Sequence, residues 1–159
     1  MNFRIGFGYD VHPLKDDIPF ALGGIIIPHI KGSLGHSDGD ALIHAICDAM
    51  LGAANLRDIG IHFPNTSKEY EGIDSKILLK KTLDLIKERK YTIVNIDSTI
   101  CLQKPRIKEY IPKMQICLAE ILNIDIDRLS VKATTTEKLG FVGREEGIEA
   151  YAVVLLNKE

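Results

Sequence analysis

Apolar and polar positions along this chain recur with two periods, one typical of strands and the other typical of helices. Alternating apolar positions predict four long strands, over residues 3–9, 91–103, 129–136 and 148–156. The segment FALGGIII predicts two further short strands that turn at Gly23 and Gly24. These two short strands would form a small hairpin near the N-terminus.

The helical period occurs in three segments. DALIHAICDAMLGAAN predicts a helix capped by Asp40, and DSKILLKKTLDLIKERK predicts a second helix capped by Asp74. A third helix is expected to begin at Pro112, within PRIKEYIPKMQICLAEILN. The segment LRDIGIHFPNTSKEYEG has no sustained period and predicts a long loop, and loops of that length in compact domains are usually functional.

This order of elements predicts a single α+β domain over residues 1–159, with a mostly antiparallel or mixed sheet and helices on one face. A doubly wound parallel sheet would require a more regular alternation of strand and helix. The last strand, IEAYAVVLL, is apolar on both of its faces. We therefore expect the open face of the sheet to be covered by another copy of the chain.

Composition narrows the classes of function. The net charge of −2 gives no overall basic field for nucleic acid or for an anionic membrane, and neither partner is expected. No apolar stretch approaches the roughly 20 residues that span a bilayer, and no secretory signal is visible. Three cysteines inside apolar segments suggest buried reduced thiols. A cytoplasmic protein is expected, or a plastid protein if a transit segment has been removed.

The segment GYDVH contains the first candidate for chemistry. Asp10 and His12 are two residues apart at the predicted end of a strand, so their side chains point to the same side. His44 on the following helix is the third candidate, and Asp, His and His are a ligand set suited to zinc with an open fourth position. Asp40 and Asp48 share a stripe of the helix with His44 and could accept its other N–H. The alternative is a surface Asp with structural histidines.

Two other polar clusters suit phosphate binding. KATTTEKLGF places hydroxyls and the carboxylate of Glu137 where a strand runs into a loop, and LQKPRIK concentrates basic side chains at the end of another strand. Good strand propensity and a solvated basic turn are the alternative explanations. The segments DIG and HFPNT offer backbone amides and polar groups that could hold sugar hydroxyls and phosphates.

Four segments in order and in register, GYDVH, GHSDGDALIHAICDAMLGAA, RDIGIHFPNT and VKATTTEKLGFVGREEGI, resemble the 2-C-methyl-D-erythritol 2,4-cyclodiphosphate synthase family. The resemblance spans essentially the whole chain. It implies a homotrimer of ferredoxin-like α+β subunits, with active sites at the subunit interfaces. It also implies a lyase of the non-mevalonate isoprenoid pathway, which converts 4-diphosphocytidyl-2-C-methyl-D-erythritol 2-phosphate to the cyclic diphosphate and releases CMP.

The resemblance assigns roles residue by residue. Asp10, His12 and His44 would hold Zn²⁺ or a similar ion, and Glu137 would bind a Mg²⁺ or Mn²⁺ ion that bridges the diphosphate. His36 and Thr135 would stabilise the transition state. The implied substrate contacts are Asp10, Val11, His12, His36, Ser37, Asp58, Ile59, Gly60, Phe63, Pro64, Asn65, Thr66, Ser67, Leu102, Gln103, Lys104, Pro105, Arg106, Ile107, Lys108, Thr134, Thr135, Thr136, Glu137, Phe141 and Arg144.

The chain departs from the family pattern in two segments. Asn65 and Ser67 occupy positions where acids are usual, and Leu102, Lys104 and Arg106 replace small residues and a lysine. Phe141 and Arg144 match residues that line the trimer axis, where a cavity is expected to accept an isoprenoid diphosphate.

Two rival functions remain open at this stage. A zinc-dependent hydrolase of nucleotides or phosphoesters would use the same ligands with an activated water. A non-catalytic trimeric scaffold would need a closed site with a fourth protein ligand.

Overall fold

The computed structural model describes residues 2–158, which form seven strands and five helices. The strands β1 to β7 are Phe3–Asp16, Ala21–Leu22, Ile25–Ile26, Lys31–Ser33, Tyr91–Cys101, Leu129–Thr134 and Gly147–Lys158. The helices α1 to α5 are Ala41–Ala53, Ile59–His62, Ser75–Glu88, Ile111–Leu122 and Gly140–Gly143. Within this described part, no helix combines the length and apolar character needed to cross a bilayer.

Five strands form one mixed sheet in the order β4-β1-β7-β5-β6, and β2 pairs with β3 in a separate hairpin. Only β5 and β6 run parallel, and the other neighbouring pairs are antiparallel. Helix α1 packs on β1 and β7, whereas α3 contacts β5 and α4 contacts β6. The predicted α+β fold with a mixed sheet and an N-terminal hairpin is confirmed.

Three local expectations differ from the structure. Strand β1 does not end at the acid and the histidine but continues to Asp16. Strand β7 pairs with it through Pro13, including Asp10 with Ala150 and His12 with Ile148, and β4 pairs with the last three residues. The predicted long loop contains the short helix α2 and a 3-10 turn at Lys68–Tyr70. The segment EKLGFVGREEG, whose turn-forming residues predict only a connection between the last two strands, contains α5. Asp10 and His12 therefore lie inside strand β1 rather than at its end.

Two glycines of β1 set the distance between this strand and α1. A Cβ atom at Gly6 would lie 1.8 Å from the carbonyl oxygen of Ala49, and one at Gly8 would lie 1.9 Å from that of Ala45. The helix backbone therefore rests directly on the strand, at a separation that any side chain would prevent. This close approach brings His44, one residue before Ala45, onto the same side as Asp10.

The opposite face of the sheet is apolar along β1 and β7 and lacks a covering element there within the described chain. The outward side chains of β1 are well exposed, with Ile5 at 74% and Phe7 at 63% of their full accessibility. Val153 of β7 lies in the same row, paired with Phe7. An apolar patch of this kind on a strand pair usually marks an interface, in agreement with the expectation from the last strand.

Free Cys47 lies in the core on α1, and its burial raises the pKa of the thiol to about 12. Because the thiolate is the reactive form, only about one Cys47 in ten thousand would be ionised at pH 8. We expect iodoacetamide at that pH to leave Cys47 unmodified in the folded protein and to modify it fully in guanidinium chloride. Peptide mass spectrometry measures this, and stoichiometric labelling of the folded protein would contradict the buried assignment.

Candidate active site

Asp10, His12 and His44 converge on one point between β1 and α1. The Oδ2 atom of Asp10 lies 2.8 Å from Nε2 of His12 and 3.0 Å from Nδ1 of His44, and the two ring nitrogens are 3.1 Å apart. All three side chains are partly buried. The predicted convergence of these three ligands is confirmed.

The spacing of these three atoms fits a small divalent cation. Nitrogen and oxygen ligands at about 2.0–2.1 Å in a tetrahedral arrangement would be about 3.3 Å apart, so the observed separations are within about 0.5 Å of that spacing. Two imidazoles and one carboxylate are also a donor set that zinc accepts. Among residues 2–158 these are the only three side chains of the metal-ligating types grouped this closely.

The chain fixes the orientation of the His12 ring through its other nitrogen. Nδ1 of His12 lies 2.9 Å from the carbonyl oxygen of Leu34, which can only accept a hydrogen bond. Nδ1 therefore carries the proton, and the lone pair of Nε2 faces Asp10 and His44. A ligating histidine commonly has its second nitrogen held in this way.

The partners of His44 differ from the expectation. Its Nε2 atom lies 2.9 Å from the hydroxyl of Ser75 and 3.0 Å from that of Ser37. Asp40 is fully buried and accepts from the backbone of Gly23, Gly24 and Ile43. The prediction that Asp40 or Asp48 holds His44 is wrong.

The acids of the helical stripe hold neighbouring segments instead. Asp40 fastens the β2–β3 turn to the start of α1, and Asp48 accepts from the backbone N–H of Ile59 at 2.7 Å, which positions the start of α2. Burial raises the pKa of both carboxyl groups. The helical period places Asp40 and Asp48 near His44 along α1, but their carboxylates accept from backbone N–H groups of the β2–β3 turn and of α2 instead.

The electrostatics of the triad favour a positive charge between its ligands. Burial alone would raise the pKa of Asp10, but without a metal ion the hydrogen bonds that His12 and His44 donate when protonated outweigh it and place that pKa below its usual value. Burial would likewise lower the pKa of His12, and the hydrogen bond with Asp10 outweighs it and raises that pKa. The carboxylate thus stabilises a cation in the same place where a metal ion would sit.

The triad opens into a cavity of ≈ 150 Å³. Its lining combines the three candidate ligands with residues of the loop before α1, of the segment from α2 to Tyr70, and of α3. The only carboxylate in this lining is that of Asp10. The lining residues are Asp10, His12, His36, Ser37, His44, Ile59, Gly60, Phe63, Asn65, Tyr70 and Leu78. His36 contacts the rim of this cavity through Nε2, which lies 3.2 Å from the carbonyl oxygen of Ser67.

A second cavity, of ≈ 190 Å³, brings together the two basic and hydroxyl-rich segments singled out in the sequence. The backbone N–H of Leu102 donates to the carbonyl of Thr134 at 3.0 Å, and that of Lys138 donates to the side chain of Gln103 at 3.3 Å. Residues of both segments line the cavity: Leu102, Gln103, Pro105, Arg106, Ile107, Lys108, Ala133, Thr134 and Thr135.

Within one chain the two cavities are not contiguous. Val11 pairs with Glu149, Glu149 with Cys101, and Cys101 with Thr134, so β7 and β5 separate the triad strand from the second cavity. Three strand spacings correspond to roughly 14 Å. The side chain of Val11 also lies on the open face of the sheet, away from the triad.

The remaining candidates lie outside both cavities. Glu137 is exposed in the loop after β6, with a φ of 53°, and its backbone N–H donates to the hydroxyl of Thr135 at 3.2 Å. Arg144 is held by both carboxylate oxygens of Glu146, at 3.0 and 3.1 Å, and Phe141 packs over Gly147. The other candidates outside both linings are Asp58, Pro64, Thr66, Ser67, Lys104 and Thr136.

Sequence reasoning missed several residues of the triad surroundings. Ser75 contacts both His44 and Asp38, and Tyr70 and Leu78 line the cavity. Asp38 lies within the quoted GHSDGD segment and could have been noted there. Ser75 follows the predicted cap of α3 and carries no sequence signal of its own.

This fold and site define an α+β protein with an Asp-His-His group that could bind a metal ion, beside a cavity lined by polar and apolar side chains. The chain belongs to the YgbB family, whose sequence model matches residues 3–157.

Relatives resemble the chain over its full length. It is 61% identical over 158 residues to the 2-C-methyl-D-erythritol 2,4-cyclodiphosphate synthase of Bacteroides fragilis, covering 99% of both chains. It is 58% identical to the Bacteroides thetaiotaomicron protein of that name, covering all of both chains. Among solved structures, the bifunctional IspDF of Campylobacter jejuni matches with a TM-score of 0.96 and 40% identity over 99% of this chain and 43% of that one.

A second solved structure carries a nucleotide. The IspF–CDP complex of Plasmodium falciparum matches with a TM-score of 0.87 and 37% identity, covering 99% of this chain and 97% of that one.

Proposed function

We propose that the chain is a 2-C-methyl-D-erythritol 2,4-cyclodiphosphate synthase, a phosphorus–oxygen lyase of non-mevalonate isoprenoid biosynthesis. Its substrate is 4-diphosphocytidyl-2-C-methyl-D-erythritol 2-phosphate, and its products are the cyclic diphosphate and CMP. The observation that carries this proposal is the Asp-His-His group at the first cavity, in a chain about 60% identical to synthases of this name. Because those relatives are bacterial, we assign the activity to a bacterial cytoplasm.

Asp10, His12 and His44 would hold zinc, and Glu137 would contribute to a Mg²⁺ or Mn²⁺ site on the diphosphate. The donor set and atom spacing of the triad support zinc. Mg²⁺ binds through one or two carboxylates together with substrate phosphates, which suits the single exposed carboxylate of Glu137. The two ions would supply Lewis acidity and neutralise charge on the β-phosphoryl group.

The side chains need not remove a proton in this reaction. The nucleophile is the 2-phosphate, which carries its own negative charge because its second ionisation lies near pH 6. The chain must therefore hold two anionic groups in line and exclude water, which would otherwise give an open product. His36 and Ser37 at the first cavity suit the erythritol phosphate, and Thr135 offers a hydroxyl to the developing charge.

The second cavity would bind the cytidine end of the substrate. Its wall combines the apolar residues Leu102 and Ile107 with Thr134 and Thr135 of the hydroxyl-rich segment. Lys104 and Arg106 are exposed at its rim, and Lys104 pairs with Glu145 at 3.1 Å. These groups fit a base and an anionic diphosphate, and the CDP complex of the Plasmodium falciparum relative agrees in ligand class.

We further propose a homotrimer of ferredoxin-like subunits, in which the triad of one chain faces the cytidine cavity of its neighbour. The apolar open face of β1 and β7 supports burial between copies, and the separation of the two cavities within one chain supports a shared site. Phe141 and Arg144 would then lie near the trimer axis, where an isoprenoid diphosphate could bind.

A zinc-dependent hydrolase is less well supported than the synthase. Such an enzyme activates water and gains from a carboxylate base close to the metal. In the described chain the first cavity offers no carboxylate beyond the ligand Asp10, and Asp48 and Asp38 are occupied by other partners.

Phosphorus NMR distinguishes the two functions directly. The protein is incubated with the diphosphocytidyl substrate, Zn²⁺ and Mg²⁺, and the products are followed with time. We expect the cyclic diphosphate and CMP in equal amounts. Linear phosphate products would indicate the hydrolase, and absence of turnover by the metal-loaded protein would overturn both enzymatic proposals.

Changes at Thr135 and Glu137 test whether these two residues act by neutralising charge on the substrate or as acid–base catalysts. Thr135→Ala should slow turnover about a hundred- to a thousandfold if it removes one preorganised donor, whereas Thr135→Ser should retain most activity. Glu137→Gln should raise the Mg²⁺ concentration required and leave zinc bound. Glu88→Gln, at the end of α3 and outside both cavities, is the matched control.

These variants are measured as turnover against pH and Mg²⁺. Neither change should add or remove an ionisation in the pH profile, since the substrate supplies the charged nucleophile. Loss of the basic limb in Glu137→Gln with an unchanged Mg²⁺ response would identify Glu137 as a general base and contradict its assignment to the metal.

The assembly is tested on the open sheet face. Phe7→Glu places a charge where 63% of an apolar ring is exposed, and burying that charge in an interface is costly. We expect light scattering to give the mass of three chains for the parent and a smaller, inactive species for the variant. Ile116→Glu on α4, which is also an exposed apolar side chain, should remain trimeric and active. An active monomer would contradict the shared site.

A further inference from the structure

The nitrogen of His44 that faces away from the triad lies in a closed polar network. Its Nε2 atom lies 2.9 Å from the hydroxyl oxygen of Ser75 and 3.0 Å from that of Ser37. Ser75 is fully buried at the start of α3. A hydroxyl can donate to an imidazole nitrogen or accept from it, so the directions of these two bonds decide which nitrogen of His44 carries the proton. The Ser37 hydroxyl can turn its proton toward the Ser75 oxygen, 3.4 Å away, so Ser75 is the partner whose direction the chain fixes.

Asp38 determines the direction of the Ser75 hydroxyl. The Oδ2 atom of Asp38 accepts from the backbone N–H of Ser75 at 3.0 Å, and Oδ1 accepts from the backbone N–H of Asp40 at 3.2 Å. The hydroxyl of Ser75 makes a short contact with the same Oδ1. An ionised carboxylate can only accept, so the single hydroxyl proton of Ser75 points to Asp38. The lone pairs of the Ser75 oxygen are left to face His44.

We infer that Asp38, acting through Ser75, holds His44 as the tautomer with its proton on Nε2 and its Nδ1 lone pair directed at the metal. This inference rests on the proposed metal at the triad. In the tautomer with its proton on Nδ1, the Nε2 lone pair would face the lone pairs of the Ser75 oxygen at 2.9 Å, and this repulsion disfavours that tautomer. Asp38 and Ser75 are therefore positioning residues. In many metal sites the ligating histidine contacts a carboxylate directly, whereas here the Ser75 hydroxyl lies between His44 and the Asp38 carboxylate.

A purely structural role is the competing explanation. The Ser75 N–H bond to Asp38 also stabilises the first turn of α3, so loss of either side chain could loosen that helix without changing the tautomer. Asp74 caps the same helix, accepting from the backbone N–H of Lys76 at 2.9 Å, and has no contact with His44. Asp74→Ala is therefore a matched control that weakens the helix start alone.

The test compares Asp38→Asn and Ser75→Ala with Asp74→Ala and the parent. Zinc affinity is measured by competition with a chromophoric chelator, and long-range ¹H–¹⁵N NMR of labelled histidines assigns the His44 tautomer. We expect both network variants to bind zinc about 10- to 100-fold more weakly, as for other outer partners of ligating histidines. The metal-free variants should populate the Nδ1–H tautomer more than the parent. Asp74→Ala should retain the parent affinity and tautomer.

The possible failures are distinguishable. A parent protein that binds no zinc would overturn the metal site on which the inference rests. A parent that binds zinc, with network variants of unchanged affinity and tautomer, would overturn the inference and leave the metal site in place. Equal weakening in Asp74→Ala would assign the effect to the helix start. If Asp38→Asn does not fold, Ser75→Ala, which removes one oxygen atom, carries the same comparison.

Discussion

His44→Ala is expected to yield a folded protein with little bound zinc and turnover reduced about a thousandfold or more. The imidazole would supply one of three protein ligands to the proposed zinc, and it lies outside the hydrophobic core cluster, so its loss should empty the site without unfolding the chain. Loss of about 4 kcal/mol of transition-state stabilisation by the metal corresponds to a rate decrease of about a thousandfold. Elemental analysis and turnover measure the two effects on the same sample.

The matched control for this change is another histidine. His29 packs beside Phe20 and lines neither cavity, so His29→Ala should keep zinc and activity. Circular dichroism shows whether each variant is folded. Full zinc occupancy in folded His44→Ala would remove His44 from the ligand set.

Gly8→Ala is expected to destabilise the fold and the metal site together. The added Cβ atom would lie 1.9 Å from the carbonyl oxygen of Ala45, so α1 must move away from β1 by roughly 1 Å or more. Overpacking of this severity should cost about 3 kcal/mol, which corresponds to a fall in the thermal midpoint of roughly 10 °C. The same movement separates His44 from Asp10, so zinc affinity should fall as well.

Gly52, which lies in α1, provides the control, with an expected change of opposite sign. A Cβ atom at Gly52 would meet no atom within 4 Å, and the residue is exposed. Gly52→Ala should therefore stabilise the helix by about 0.5–1 kcal/mol and leave zinc binding unchanged. Scanning calorimetry and chelator competition measure both variants. A Gly8→Ala protein with the parent midpoint and zinc affinity would contradict the direct contact of helix and strand.

The period of apolar positions was sufficient to predict most elements. The helix from Asp40, the helix after Asp74 and the helix beginning near Pro112 agree with α1, α3 and α4. These predictions succeed because caps and amphipathic periods are properties of residues that are close in the chain. The end of β1 was misplaced because its length is set by partner strands elsewhere in the chain, β7 through Pro13 and β4 from Leu14 to Asp16.

The sequence by itself determined which side chains could serve as metal ligands. Alternation along a strand puts Asp10 and His12 on one side, and residue types alone make them, with His44, a zinc-type set. Only the tertiary structure decided that these groups meet and which atoms support them. Gly6 and Gly8 let α1 rest on β1, and Ser75 rather than Asp40 or Asp48 reaches His44. Hydrogen-bond partners from different elements depend on how closely those elements pack, which no spacing along the chain specifies.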